Sequence, residues 1–295
     1  MNKINFLFLI IFFILSSLLP FFVTSRNPIF LGFSYMFFMI GLGLIFDFFT
    51  FQISGNSFIL SKKLLQNLKL LLIVSVIVTL IMEISGNWIG NFWYFPYYSV
   101  KDYFLLIFPN FFTYTFLMME SFWIFKTLTG NLIGNTEFAK LNKKGLLVKI
   151  AKVFSGFWII SLITLLIAFF IQDYPQPLIL TINNIFPNRT PFGIFLIFAI
   201  SLWLFFEGKS FIRGNDTIFF AILNGSYVNL LSVLLASLTT SILFESYNLY
   251  FDLWVYENVP LVKASIFGLP LSVILAWPLQ YLALIPLYSF FTKKS

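Results

Sequence analysis

Residues 83–95 read EISGNWIGNFWYF and residues 245–256 read ESYNLYFDLWVY. Superposed, the two tracts put Asn87 on Asn248, Asn91 on Asp252, Trp93 on Trp254 and Phe95 on Tyr256, and the match runs on from Pro109 to Pro270. Each of these pairs is 161 residues apart, whereas Glu83 and Glu245 are 162 apart, a slip that one helix end can absorb. Composition alone does not align acid, amide, tryptophan and proline at one offset. The chain is built from a duplicated module.

The module works in a bilayer. Hydrophobic residues make up 60% of the chain and charged residues 10%, and mean hydropathy is +0.94. Apolar runs of about 20 residues recur, each long enough to cross a hydrocarbon core of roughly 30 Å. Candidate spans fall at 5–23, 28–50, 66–86, 101–128, 147–171, 191–207, 225–246 and 260–291. The first could be a cleaved leader, since Lys3 precedes its apolar run, but it lacks a small-x-small cleavage site and is read as a retained helix.

The expected fold is therefore all-α: a polytopic membrane protein of about eight transmembrane helices, arranged as two tandem four-helix repeats. Repeat one covers 1–128, a polar linker 129–146, and repeat two 147–295. With an even number of spans in each, the repeats enter the membrane in parallel orientation, related by an axis along its normal. With the N-terminus inside, 14 basic residues lie on cytoplasmic loops and ends, against Arg26, Lys101, Arg189 and Lys263 outside. That bias puts both termini in the cytoplasm. A basic rim facing anionic lipid accounts for the net charge of +7, and nothing points to nucleic acid.

The chain contains no cysteine and no histidine. Thiolate nucleophiles, Cys-ligated metals, His-ligated iron, haem and Ser-His-Asp chemistry are thereby set aside, and no metal or other cofactor is expected.

Glu83 and Glu245 each sit near the end of a span, ahead of an aromatic, amide-rich tract. A carboxyl group at that depth is costly to bury and usually faces the bundle interior with a partner. For a lone glutamate the ordinary reading is a solvated helix end beside an interfacial belt of Trp93, Tyr94, Trp254 and Tyr256; the repetition favours a site. A second repeated pair, Asp47 before Gly55-Asn56 and Glu207 before Gly214-Asn215, is read as structural, an interfacial helix end and a tight loop. Glu120 lies within the fourth span and its counterpart at the same offset is Tyr281. It is either functional or a helix-to-helix hydrogen-bonding group.

At these residues the chain resembles the lycopene cyclase domain of carotenoid enzymes, in which an acid near a helix end is followed by a Trp-x-Phe tract and a Gly-Leu-Pro motif. Here Trp254 precedes Pro270 by sixteen residues in WVYENVPLVKASIFGLP, and WYFPYYSVKDYFLLIFP repeats that spacing from Trp93 to Pro109. The glutamate pair that follows the proline in the cyclases is absent: Asn110-Phe111-Phe112 and Leu271-Ser272-Val273 stand there. The second copy is also similar to acyclic-carotenoid hydratases, with Gly268-Leu269-Pro270 leading to Ala276-Trp277.

The resemblance implies acid-triggered, non-redox cyclisation or hydration of a terminal isoprene end group on a hydrophobic isoprenoid or carotenoid substrate drawn from membrane lipid. A carboxylic acid kept protonated by apolar surroundings would give its proton to the double bond, and aromatic faces would stabilise the cation. Glu245 is the expected donor, with Asn248 and Asp252 orienting it or a water and Trp254, Tyr256, Trp277 and Pro270 lining the pocket. Glu83, Asn87, Asn91, Trp93, Phe95 and Pro109 form the matching set, with Glu120 a further candidate. A catalytically inactive lipid-binding scaffold is the alternative reading, and a small-solute transporter a more distant one. An enclosed pocket at the Glu245 cluster would favour the enzyme, a packed and solvated cluster the scaffold, and a continuous polar pore transport.

Overall fold

The computed structural model describes residues 10–11, 13–15, 27–59, 63–90, 92–133, 144–171, 192–215, 217–256, 259, 264–266 and 269–292. It is an all-α bundle with seven helices, among the described residues, long and apolar enough to cross a membrane. The helices are α1 (Pro28–Ser54), α2 (Leu64–Ile81, continued as a π-helix over Met82–Ile89), α3 (Val100–Ile133), α4 (Lys144–Phe154) and α5 (Trp158–Ile171). They continue with α6 (Phe192–Ile212), the short α7 (Phe219–Leu223), α8 (Val228–Phe251) and α9 (Leu271–Phe291). The α4–α5 pair forms one apolar span interrupted by a turn. The expected span 5–23 lies mostly outside the described residues; Phe13, in its helical part, packs its ring 5.6 Å from that of Phe38 in α1.

Lipid contact follows from where the apolar surface lies. On α5, Trp158, Ile159, Leu162, Ile163, Leu166 and Phe170 are all exposed, an apolar face suited to contact with lipid. The interior is built by α1, α3, α8 and α9, with Met39, Leu117, Phe244 and Tyr281 fully buried in one cluster.

The packing repeats as the sequence does. Helix α3 packs on α1, on α2 and across to α8; its counterpart α9 packs on α6, on α8 and across to α2. A reciprocal exchange of that kind is what a twofold relation between the halves requires. A two-residue bridge states it more sharply. Strand β1 (Trp93–Tyr94) pairs antiparallel with β2 (Val255–Tyr256), Trp93 opposite Tyr256 and Tyr94 opposite Val255. Tyr94 and Val255 are themselves 161 residues apart, so equivalent positions meet face to face, as they must where a twofold axis passes between two strands.

Several boundaries differ from the sequence reading. Helix α3 runs on to Ile133, into the stretch read as linker, because Thr129–Ile133 still bury Thr129 against Ser232 of α8 (2.8 Å). Residues 147–171 are not one helix: Ser155–Phe157 turn at Gly156, where Phe157 N bonds Phe154 O. The last helix begins at Leu271 rather than near 260, and β3 (Ser265–Ile266) pairs with β4 (Leu269–Pro270) ahead of it. The residue before a proline is held extended, which suits Leu269 to a strand. The prolines matched in sequence thus differ in setting, Pro109 lying inside α3 and Pro270 immediately before α9.

The one-residue slip between the glutamates also has a structural cause. In α8 the segment from Glu245 to Phe251 is ordinary α-helix, whereas its counterpart in α2 is the π-helix Met82–Ile89. A π-turn accommodates one extra residue in a helix of unchanged direction, so the first copy carries its additional residue between Glu83 and Asn87.

The repeated acids Asp47 and Glu207 sit at the opposite end of the bundle from this slip, and both do the same work. Asp47 accepts hydrogen bonds from Phe58 N (2.6 Å), Ile59 N (3.3 Å) and Ser57 Oγ (2.6 Å). Glu207 accepts from Ile218 N (3.0 Å), Phe219 N (3.1 Å) and Trp203 Nε1 (3.0 Å). Between each acid and its amides the chain reverses at a glycine with positive φ, Gly55 (72°) or Gly214 (78°), a conformation that other residues adopt only with strain. The structural reading of this pair holds. Replacing Glu207 with Ala strands the buried Ile218 N–H, at a cost of about 1–3 kcal/mol, and the part-buried Phe219 N–H, whereas Glu207→Gln keeps an acceptor oxygen. Thermal unfolding in detergent should show a large fall in Tm for the first and a smaller one for the second.

Candidate active site

Glu245 lies six residues before the end of α8 and is 1% exposed. Its Oε1 accepts from the Tyr256 hydroxyl at 2.7 Å and from Trp277 Nε1 at 3.3 Å. The hydrogen bonds to Glu245 among the described residues both fall on Oε1, and Glu245 lines a cavity of about 200 Å³. The three elements of this unit are fixed independently. Asn248 Oδ1 accepts Trp254 N at 2.8 Å, which turns the chain after α8; Asp252 closes the helix with φ 52°; the β1–β2 bridge then holds Tyr256 in place. Tyr256 is buried beside the carboxylate, and both burial and that charge push its phenol pKa well above the usual value. It therefore remains a proton donor towards Glu245.

The cavity walls come from both repeats. Trp93, Phe95, Trp254, Tyr256 and Trp277 line it, so the structure brings together five of the aromatic positions expected from sequence. Aromatic contacts knit them: Trp277 lies 5.1 Å from Phe244 and 5.7 Å from Tyr114, and Trp254 lies 5.4 Å from Tyr35. Tyr35, Tyr114, Gln280, Phe192 and Phe195 also line the cavity and were not among the residues expected. The Tyr114 hydroxyl donates to Gln280 Oε1, linking α3 to α9 across the repeats. No spacing in the sequence marks these residues, because they approach the site from separate helices.

The remaining expected residues take other places. Asn248 and Asp252 shape the turn after α8, and the bond made by the Asn248 carbonyl fixes Trp254 rather than Glu245. Glu83 is 3% exposed but does not line the cavity. It accepts from Asn87 Nδ2 at 2.8 Å and from the Tyr103 hydroxyl, which itself accepts from Trp88 Nε1 at 3.1 Å. Its Oε1 is buried with no partner among the described residues. Pro109 does not line the cavity either, only the backbone of Pro270 is described, and Asn91 lies outside the described residues. Glu120 is 1% exposed in α3, apart from the cavity, with Oε1 unpartnered among the described residues.

The two copies are therefore not equivalent. At the 161-residue offset the donors on Glu245, Tyr256 and Trp277, correspond to Phe95 and Phe116. Neither phenylalanine can donate a hydrogen bond. Both glutamates are held by an O–H and an N–H, but among the described residues the donors come from different positions in the two copies and only Glu245 also lines the cavity. Compared with protein-family models, with curated proteins and with solved structures, the chain gives no match.

Proposed function

We propose that this chain is an integral membrane enzyme that protonates a terminal isoprene double bond from Glu245, leading to non-redox cyclisation or hydration of a carotenoid or related isoprenoid. The observation that carries this reading is a carboxyl group inside a bundle, clamped on one oxygen by Tyr256 and Trp277 and belonging to a residue that lines an aromatic cavity. A scaffold has no use for a carboxyl group so placed; an acid catalyst has to have one.

The chemistry follows from the parts. Glu245 in its acid form transfers its proton to one alkene carbon and leaves a tertiary cation on the other. Tyr256 and Trp277 then hydrogen-bond to the carboxylate as its charge develops, which lowers the barrier to transfer. Trp93, Trp254 and Tyr114 offer π-faces that stabilise a cation without attacking it. The cation resolves by ring closure onto a neighbouring alkene, which moves the charge to a ring carbon that then gives up a proton, or by capture of water, whose oxonium gives up a proton; either proton returns to the Glu245 carboxylate and restores the acid. The hydrophobic substrate reaches the site from the lipid in which the bundle sits.

Expression in hosts that accumulate acyclic carotenoids or shorter isoprenoids, followed by chromatography and mass analysis, tests this reading. The expected result is a new product of unchanged mass, or heavier by one water. Unaltered extracts across several isoprenoid backgrounds would overturn it.

A further inference from the structure

Tyr114 of α3 and Gln280 of α9 share a hydrogen bond inside the bundle, the phenol O–H donating to Gln280 Oε1. Both residues line the cavity. At the 161-residue offset their counterparts are Leu275 and Met119, a pair that cannot form such a bond because leucine has no donor. An amide in a membrane interior is costly unless it is paired, and the related pair shows that apolar side chains suffice for packing at this kind of position. The asymmetry matches that of Tyr256 and Trp277, whose counterparts are Phe95 and Phe116. Polar pairing is concentrated on the side of the twofold axis that holds Glu245.

The Tyr114 ring is stacked on Phe244, with centroids 5.3 Å apart and planes 22° apart, and leans on Trp277 at 5.7 Å and 45°. Phe244 precedes Glu245 in α8 and itself meets Trp277 at 5.1 Å. The phenol is therefore a wedge between the helix that carries the acid and the helix that carries one of its donors. Gln280 follows Trp277 by three residues, one turn along α9, so its bond to the hydroxyl ties the wedge back to the donor's own helix. That tie is needed where it falls. Pro278, immediately after Trp277, lacks the N–H that would bond the carbonyl of Ile274, so α9 supports itself least at the indole.

Trp277 Nε1 reaches Glu245 Oε1 at 3.3 Å, against 2.7 Å for the Tyr256 hydroxyl. Hydrogen bonds from N–H to oxygen run to about 3.2 Å, so the indole stands at the outer limit and a small outward shift of α9 loses it. We propose that Tyr114 and Gln280 are a positioning pair for the acid. Their hydrogen bond sets the spacing of α8 and α9 at which the Trp277 N–H can close on the Glu245 carboxylate as its charge develops. The assignment rests on the acid-triggered reading of Glu245.

Neither the Tyr114 hydroxyl nor the Gln280 amide gives or takes a proton in the reaction, so the pair acts on the rate of proton transfer and not on the binding of substrate. Gln280 works through Trp277, which bounds its effect: removing the amide costs no more than removing the indole N–H. Because Tyr114 belongs to the first repeat, a site whose acid and donors all come from the second repeat depends on both.

Membranes containing the full chain, incubated with an acyclic carotenoid over a range of concentrations, provide the test, with product counted per membrane-inserted protein. Tyr114→Phe, which keeps the ring, and Gln280→Leu are each expected to lower kcat about tenfold, the worth of one hydrogen bond, with KM close to that of the parent. Gln280→Glu, which keeps an acceptor oxygen, is expected to return kcat towards the parent value and so to separate loss of the bond from loss of fold. In a Trp277→Phe background Gln280→Leu is expected to cause no further loss, since residues acting through one contact are not additive. Losses that multiply in that double variant overturn the positioning role while leaving Glu245 as the acid. So does an unchanged kcat in both single variants, or a rise in KM with kcat kept. Absence of any product from the parent overturns the acid reading itself, and the positioning role with it.

Discussion

Glu245→Gln removes all but background turnover, while Glu83→Gln leaves turnover close to that of the parent. A positioned general acid contributes about 100- to 10,000-fold to a proton-transfer step, and a neutral amide cannot supply that proton. Glutamine is nearly isosteric, and its carbonyl oxygen still accepts from Tyr256 and Trp277, so the cavity keeps its shape and the protein stays in the membrane. Glu83 is as deeply buried as Glu245 (3% against 1% exposed), but it lies off the cavity wall, bound to Asn87 and Tyr103. Its loss affects stability more than chemistry. Between these extremes, Tyr256→Phe and Trp277→Phe give the second copy the side-chain type of the first. Each removes one hydrogen bond to the developing carboxylate, worth about 1.5–3 kcal/mol when the acceptor is charged, or about 10- to 150-fold in rate. The measurement is product formed per amount of membrane-inserted protein. Equal losses in Glu83→Gln and Glu245→Gln would show that the copies act together and that cavity contact does not distinguish them.

Much of the architecture was legible because a duplication writes the same instruction twice. The 161-residue offset identified the amide and the aromatic tract, with the acid one residue off it, and the structure meets that regularity in the bridge where Tyr94 faces Val255. The 162-residue offset of the glutamates carried information too: it marks the π-helical segment Met82–Ile89, which no propensity argument would place. Inequivalence of the copies was also present in the sequence, since Phe95 and Phe116 stand opposite Tyr256 and Trp277, but its meaning depends on knowing that both donors reach one carboxyl oxygen. Sequence could not supply the walls contributed by Tyr35, Tyr114, Phe192 and Phe195. In a chain with 43 phenylalanines, nothing local separates a ring that faces a cavity from one that faces lipid. Asp47 and Glu207 show the opposite case. Their place before a Gly-Asn turn was readable, and the amides they cap, eleven and twelve residues on, follow once the turn is made.

Gly86→Ala lowers both stability and turnover, although helix propensity taken alone argues the other way. Within a helix, alanine is favoured over glycine by about 1 kcal/mol, and Gly86 sits in the π-helical end of α2. A Cβ at this position would lie 2.0 Å from Trp93 Cη2 and 2.5 Å from Cζ3, far inside van der Waals contact. The indole cannot simply swing aside, because Trp93 is paired with Tyr256 in the bridge and forms part of the cavity wall. Overpacking of this kind costs about 1–3 kcal/mol, which exceeds the propensity gain. Whatever displacement relieves the clash is transmitted through the bridge to Tyr256, whose hydroxyl is a partner of Glu245, so the acid loses its placement along with the fold losing stability. The double variant Gly86→Ala/Trp93→Leu separates the two consequences. A smaller side chain at 93 removes the clash and returns Tm towards the parent value, whereas turnover stays low because the indole face is gone from the cavity. Thermal unfolding and product formation, measured on the single and double variants, should therefore part company. Recovery of both together would mean that Trp93 matters to this site only as a spacer.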